Sequence, residues 1–158
     1  MLDSLRTGIT FGLTSAVITT LGLMVGLHSG THSKIVVLGG ILTIAIADAF
    51  SDALGIHVSE ESENTHTFKQ IWASTIATFL AKFIFALTFA VPVIVFPLSS
   101  AIIVSLLWGL VILTVLSYTV AKSQGKAPFK VVAEHVLIAL VVIVITHFVG
   151  DWVATCLS

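Results

Sequence analysis

The stretch IVVLGGILTIAIADAFSDALGIH, residues 35–57, is an apolar run that carries two aspartates in its second half. A helix needs about 20 predominantly apolar residues to cross the hydrocarbon core of a bilayer. The run is long enough for that, and it lacks the strict alternation of a membrane β-strand. It therefore predicts a transmembrane helix with ionisable groups inside the membrane.

Four further apolar runs of similar length occur in the chain, separated by short polar segments such as HSGTHSK at residues 28–34. The five predicted spans are residues 8–27, 35–57, 71–96, 101–121 and 131–157. Because backbone polar groups in lipid must be satisfied within the protein, runs of this length favour helices. The chain is thus predicted to be an all-α, polytopic membrane protein with five transmembrane helices per protomer, in one domain over residues 1–158.

The composition excludes the class of soluble globular proteins. Of 158 residues, 57% are hydrophobic and 9% are charged, whereas a soluble domain carries about 25% charged residues. The net charge of −1 provides no basic patch for nucleic acid, and a single cysteine, Cys156, excludes an intrachain disulfide. The first apolar run exceeds the core of a secretory signal, about 7–15 residues long, so we expect it to be a retained helix.

Basic residues predict the orientation in the membrane, because cytosolic loops are enriched in lysine and arginine. With a cytosolic N-terminus, the inner side carries Arg6, Lys69, Lys122, Lys126 and Lys130. The outer side then carries only Lys34, and Lys82 falls inside the third span. We therefore expect a cytosolic N-terminus and a C-terminus on the opposite side, in the cell membrane.

Small residues recur at helical spacing in the first two spans. They are Gly8, Gly12, Ser15, Thr19, Gly22 and Gly26 in the first span, and Thr43, Ala47, Ser51 and Gly55 in the second. Such stripes allow helices to pack closely in lipid. We therefore expect the first two helices to be buried and central. The third span is rich in phenylalanine, so we expect it to face lipid and to be kinked by Pro92.

Two aspartates inside the second span are the main candidates for a site. Asp48 and Asp52 are four residues apart, so both point to one side of the helix. A charged residue at a helix centre costs about 2.5–3.5 kcal/mol on insertion scales. Two close carboxylates repel each other, which favours uptake of a proton or a divalent cation. The alternative is a structural pair that bonds to Lys82 or to serines and threonines of neighbouring helices.

Five further acidic and imidazole side chains are candidate metal ligands. They are Glu60 and Glu61 in the polar segment after the second span, and Glu134, His147 and Asp151 in the fifth span. Carboxylate and imidazole together suit divalent metals such as Fe(II), Mn(II) and Zn(II). With Asp48 and Asp52 in the middle, the groups of the fifth span would mark the entrance and exit of an ion path. The alternative is that they are ordinary interfacial and solvated residues.

The segments FGLTSAVITTLGLMVGL, residues 11–27, and ADAFSDALGIHVSEESE, residues 47–63, resemble the vacuolar iron transporter family. The resemblance is specific over residues 11–63 and covers most of the chain in layout. It implies a homodimer of five-helix protomers with the ion path at the dimer interface. It also implies proton-coupled export of Fe(II) or Mn(II) from the cytosol. We expect no bound cofactor, because the sequence contains no nucleotide or haem motif.

The chain departs from that family at three ligand positions. Ser15 and Ala16 stand where the family has an Asp-Gly pair, so this carboxylate is absent. Thr43 stands in place of a glutamate and Ser51 in place of a methionine. The long cytosolic insert of the iron transporters is also missing, as it is in the nodulin-like members. The resemblance makes Ser15, Thr43 and Ser51 site positions, with Asp48 and Asp52 supplying acidity instead.

Three other functions stay open on the sequence alone. The lost carboxylates suit a non-transporting membrane scaffold or subunit of the same fold, or a carrier of a different cation. An intramembrane enzyme is the third alternative, since His147 and Asp151 form an HxxxD pair. The sequence contains no HExxH or GxSxG motif and no pair of cysteines, so we expect no enzyme activity.

Overall fold

A computed structural model describes residues 1–157 of the chain. Its helices are α1 (Leu2–Thr31), α2 (Lys34–Ser62), α3 (Phe68–Thr88), α4 (Ala90–Val95), α5 (Leu98–Ser123) and α6 (Pro128–Leu157). No strand occurs among these residues. Helices α3 and α4 together form one span, Phe68–Val95, so five spans are long and apolar enough to cross a membrane. The predicted all-α, polytopic membrane fold is confirmed.

The helices extend beyond the predicted spans, because polar residues at their ends are helical too. The polar segment between the first two spans shrinks to His32 and Ser33. His32 ends α1 in the left-handed conformation, with φ of 50°. Ser33 then caps α2, since its side chain accepts a hydrogen bond from the backbone N–H of Val36. Two residues are therefore enough to reverse the chain.

The third span is interrupted at Phe89, between α3 and α4. Pro92 has no backbone N–H to donate to the carbonyl of Thr88, so the helical ladder cannot continue through this turn. The N–H of Phe89 bonds the carbonyl of Ala86 at 3.2 Å, three residues back and not the four of a regular α-helix. The interruption therefore lies one turn before Pro92, where the sequence predicts a kink.

Helix α1 is the centre of the bundle and contacts α2, α3, α5 and α6. Half of its span is buried in the protein, compared with 39% of the third span and 22% of the α2 span. The expectation that the first helix is central is confirmed. The expectations that the second helix is buried and that the third mainly faces lipid are wrong. Helix α3 packs directly on α1 and fully buries Phe89 near its end.

Glycines bring the backbone of α1 against two neighbouring helices. A Cβ atom at Gly8 would overlap the α3 backbone, and one at Gly12 would lie 2.6 Å from the carbonyl oxygen of Thr78. Near the other end, a Cβ atom at Gly150 of α6 would overlap the carbonyl oxygen of Gly26. These glycines of α1 thus allow close helix packing within the chain.

Polar contacts define the two ends of the bundle. At the N-terminal end, Arg6 of α1 donates a hydrogen bond to Ser123 at the end of α5. At the opposite end, the ammonium of Lys34 donates to the carbonyl oxygens of Ile94 and Phe96, each at 3.1 Å. These carbonyls lie at the end of α4, where a cation is favourable.

Candidate functional site

Four polar side chains from three helices meet in the middle of the bundle. The Nζ atom of Lys82 in α3 lies 2.5 Å from Oδ2 of Asp48 and 2.5 Å from Oδ2 of Asp52, both in α2. It also donates a hydrogen bond of 2.6 Å to Oγ of Ser15 in α1. Ser15, Asp48, Asp52 and Lys82 together form the charged cluster. At about 1.5 Å per residue, Asp48 and Lys82 each lie about 20 Å from either end of their spans.

The charged cluster is closed on the lysine side and more open at the carboxylates. The side chain of Lys82 is 1% exposed, whereas those of Asp48 and Asp52 are 25% and 17% exposed. Asp52 accepts a hydrogen bond from Lys82, while the contact with Asp48 is an ion pair outside hydrogen-bond alignment. A cation that reached the cluster would therefore meet the carboxylates first.

The close contact of α1 and α3 holds Lys82 in place. A Cβ atom at Gly12 would lie 3.2 Å from the backbone nitrogen of Lys82 and 3.0 Å from the Cβ atom of Ala81. Because the glycine has no side chain, the lysine backbone sits directly on α1. The i, i+4 spacing of Asp48 and Asp52 then presents both carboxylates to the same ammonium.

The ion pairs explain how two aspartates are accommodated at mid-depth. With both carboxylates ionised and Lys82 protonated, the charged cluster has one positive and two negative charges, a net charge of −1. Attraction at short range offsets part of the cost of removing these groups from water. The contact with Lys82, which the sequence offered as one alternative, is therefore present.

The oxygen atoms of the charged cluster are ligands that hard divalent cations prefer. The chain supplies two carboxylates and the hydroxyl of Ser15. Within residues 1–157, no three or more His, Cys, Asp or Glu side chains are grouped so that they could hold a metal ion. Further ligands for a divalent cation therefore have to be water, backbone oxygens or groups of a second copy.

Two of the positions suggested by the resemblance lie outside the charged cluster. Thr43 and Ser51 are on the exposed surface of α2. They belong to the small-residue face, which consists of Gly39, Thr43, Ala47, Ser51 and Gly55, all of them exposed. A Cβ atom at Gly39 or Gly55 would meet no described atom within 4 Å. This face borders the charged cluster, because Ala47 directly precedes Asp48 and Ser51 directly precedes Asp52 in the chain.

A second polar group lies at the end of the bundle opposite the N-terminus. His147 and Asp151 of α6 form a pair, with Nε2 and Oδ2 3.5 Å apart, and Ser29 of α1 donates a hydrogen bond to Asp151. The rings of His28 and His32 lie nearby, with centroids 5.3 Å apart. Ser29 is about 20 Å along α1 from Ser15, so this group is separate from the charged cluster.

Glu60, Glu61 and Glu134 do not lie near the charged cluster. The expectation that Glu60 and Glu61 follow the second helix is wrong, because residues 59–62 form the last turn of α2. The side chain of Glu60 is buried there and accepts a hydrogen bond of 2.5 Å from Ser74 in α3. Glu61 and Glu134 are exposed, the latter in the second turn of α6.

The sequence does not predict the central position of Lys82 and indicates this residue only as a possible partner of Asp48 and Asp52. An intramembrane lysine is itself a functional signal, since such residues face the bundle interior and pair with one another. Ser29 and Ser74, which bond Asp151 and Glu60, gave no such signal, because a serine in a transmembrane helix is common at packing contacts.

The comparisons with known proteins assign no family to the chain: no protein-family model matches it, and no curated protein is significantly similar to it. The residues themselves and their resemblance to the vacuolar iron transporter family are therefore the basis for proposing a function.

Proposed function

We propose that the chain is a proton-coupled transporter of a divalent metal, Fe(II) or Mn(II), which it exports from the cytosol. The observation that supports this most strongly is the charged cluster at mid-depth in the membrane. Ionisable residues in such positions are costly and mark ion and proton paths. Here two carboxylates, an ammonium and a hydroxyl converge from three helices, and the carboxylates are partly exposed.

The nature of the oxygen ligands favours these metals over softer ones. Carboxylate, hydroxyl and water suit Mn(II), and carboxylates are also common ligands of Fe(II). The chain has only two methionines, Met1 and Met24, and one cysteine, Cys156. Met24 is fully buried and Cys156 lies near the end of α6, so neither brings sulfur to the charged cluster.

The proposed orientation places the N-terminal end of the bundle in the cytosol of a cell. Five basic residues support it, namely Arg6, Lys69, Lys122, Lys126 and Lys130, which lie at or beyond helix ends on this side. Lys34 is at the opposite end, against the end of α4. Cytosolic segments carry such an excess of positive charge. The metal then passes from the end near Arg6 to the end near Asp151.

A second copy of the chain completes the site in this proposal. The small-residue face of α2 is exposed in the protomer, and helices in lipid pack closely on such faces. A two-fold axis along this face places the same surface of both copies in contact. Asp48 and Asp52 of each copy then lie beside one path, so that four carboxylates are available to one metal.

The test is transport by purified protein in liposomes with a pH gradient. We expect the gradient to drive uptake of Mn(II) and Fe(II), and we expect Asp48→Asn/Asp52→Asn to abolish it. Asp3→Asn is the matched control, because Asp3 is an exposed acidic residue at the start of α1 and should leave uptake unchanged. Normal uptake by the double variant would remove the charged cluster from the mechanism.

A non-transporting membrane scaffold is the second candidate function. It is favoured by the pairing itself, since Lys82 contacts both aspartates and leaves neither without a cation. A scaffold would transport no metal in the liposomes, and the charges would serve only to join α2 with α3. A carrier of another cation would be inactive with Mn(II) and Fe(II) but would transport a different ion under the same gradient.

A further inference from the structure

The ammonium of Lys82 occupies the position in which a metal ion would contact the same ligands. Its nitrogen is 2.5 Å from one oxygen of each aspartate and 2.6 Å from the hydroxyl of Ser15. Divalent cations bind oxygen ligands at about 2.0–2.6 Å. The ammonium and a metal ion would thus need the same oxygens at nearly the same distances, so they cannot occupy this space together.

Only the side chain of Lys82 can leave this space. Its backbone is fixed on α1, because a Cβ atom at Gly12 would lie 3.2 Å from its nitrogen and 3.0 Å from the Cβ atom of the neighbouring Ala81. The flexible four-carbon stem, in contrast, carries a compact charge that can be repositioned. Displacement of the ammonium therefore requires no movement of α3 relative to α1.

We infer that Lys82 is a tethered cation that fills the ion site of the unloaded protein and must be displaced by the transported ion. This inference rests on the proposed function and specifies how its site selects and releases the ion. A monovalent ion gains no charge advantage over the ammonium, whereas a divalent ion does. The site thereby favours divalent cations, and return of the ammonium promotes their release.

Two properties follow for variants of Lys82. Without the ammonium, the carboxylates are free to bind metal, so affinity rises and release slows. With an arginine, a larger and permanently charged group with five donors fills the space, so affinity falls. A lysine that only joins helices would give a different result, since its loss would loosen the cluster and weaken metal binding.

The experiment measures Mn(II) binding to purified protein in detergent by electron paramagnetic resonance, with transport in liposomes beside it. We expect Lys82→Gln to bind Mn(II) about tenfold more tightly than wild type and to transport it about tenfold more slowly. Lys82→Arg should bind more weakly than wild type. Lys122→Gln, which removes an exposed charge at the end of α5, should bind as wild type does.

The outcomes separate this inference from the proposed function. If wild type transports Mn(II) but Lys82→Gln binds it no more tightly, the tethered cation is refuted and the transporter stands. If wild type neither binds nor transports Mn(II) or Fe(II), the proposed function fails and this inference fails with it. If Lys82→Gln does not fold, Lys82→Arg decides, because affinity equal to or above that of wild type contradicts displacement.

Discussion

The contribution of the Lys82 charge to the stability of the protein can be tested without changing Asp48 or Asp52. The side chain is 1% exposed and contacts two carboxylates, so Lys82→Met leaves both of them without a cation. Loss of one partner from a buried ion pair typically costs about 3–5 kcal/mol. We expect a markedly lower unfolding temperature for this variant in detergent, measured by circular dichroism.

The matched variant for this prediction removes all three charges. Asp48→Asn/Asp52→Asn/Lys82→Met contains no unpaired charge, and replacing a buried ionic group by neutral residues is often neutral or stabilising. We expect it to recover most of the lost stability while remaining inactive in transport. A triple variant as unstable as Lys82→Met would show that the charged cluster is needed for folding, as expected for a scaffold in which the charges join α2 with α3.

Individual residues also show how far the sequence predicts the site. The spacing of Asp48 and Asp52 is sufficient to place both on one side of α2, and the position of Lys82 inside the third span makes it a possible partner. The spacing could not show that Lys82 contacts both aspartates, because that depends on how α3 is rotated relative to α2. Thr43 was inferred from the resemblance, and its exposed position depends on how α2 is rotated.

At the scale of the helices, some glycines lie directly against the backbone of a neighbouring helix, whereas others lie on an exposed helix surface. A Cβ atom at Gly12 would lie 2.6 Å from a backbone oxygen of α3, and one at Gly150 would overlap the backbone of α1. We expect Gly12→Ala and Gly150→Ala each to destabilise the protein by about 1–3 kcal/mol, because a backbone cannot yield as a side chain does. Unfolding temperatures in detergent measure the effect.

Gly55→Ala is the matched control for these variants. A Cβ atom at Gly55 would meet no described atom within 4 Å, and alanine favours a helix over glycine by about 1 kcal/mol. Its stability should equal or slightly exceed that of wild type, because alanine, which the small-residue face already contains at position 47, is still small enough for a second copy to pack closely. Equal destabilisation of all three variants would contradict the assignment of Gly12 and Gly150 to helix contacts within the protomer.

The small residues of α1 are covered by other helices of the chain and those of α2 are exposed, which explains why the expected burial of the second helix is wrong. Both stripes predict close packing, but the pattern does not say whether the partner belongs to the same chain. In α1 the partners are α3 and α6, so the stripe is covered. In α2 the aspartates face α3 through Lys82, which turns Thr43, Ala47 and Ser51 outwards. Hydrophobic runs predict well which residues form the spans. How each helix is rotated about its axis depends on the tertiary contacts.

For the whole molecule, the exposed small-residue face of α2 leads to a prediction about assembly. In a two-fold dimer, residues near the axis lie opposite their own copies. A cysteine at Ala47 would therefore lie close to its partner, and a disulfide forms where Cα atoms are about 4.4–6.8 Å apart. With Cys156→Ser removing the exposed natural cysteine, Ala47→Cys should cross-link to a dimer in membranes.

The control for cross-linking is Val111→Cys in the same background, because Val111 is exposed on α5, which packs against α1, α4 and α6. It should stay monomeric on denaturing gels under the same oxidant. Cross-linking of Val111→Cys but not Ala47→Cys would place the interface on another face. Ser51→Trp should separate the copies, since the indole cannot fit between closely packed helices. If transport needs carboxylates from both copies, this variant loses transport although Asp48, Asp52 and Lys82 are all intact.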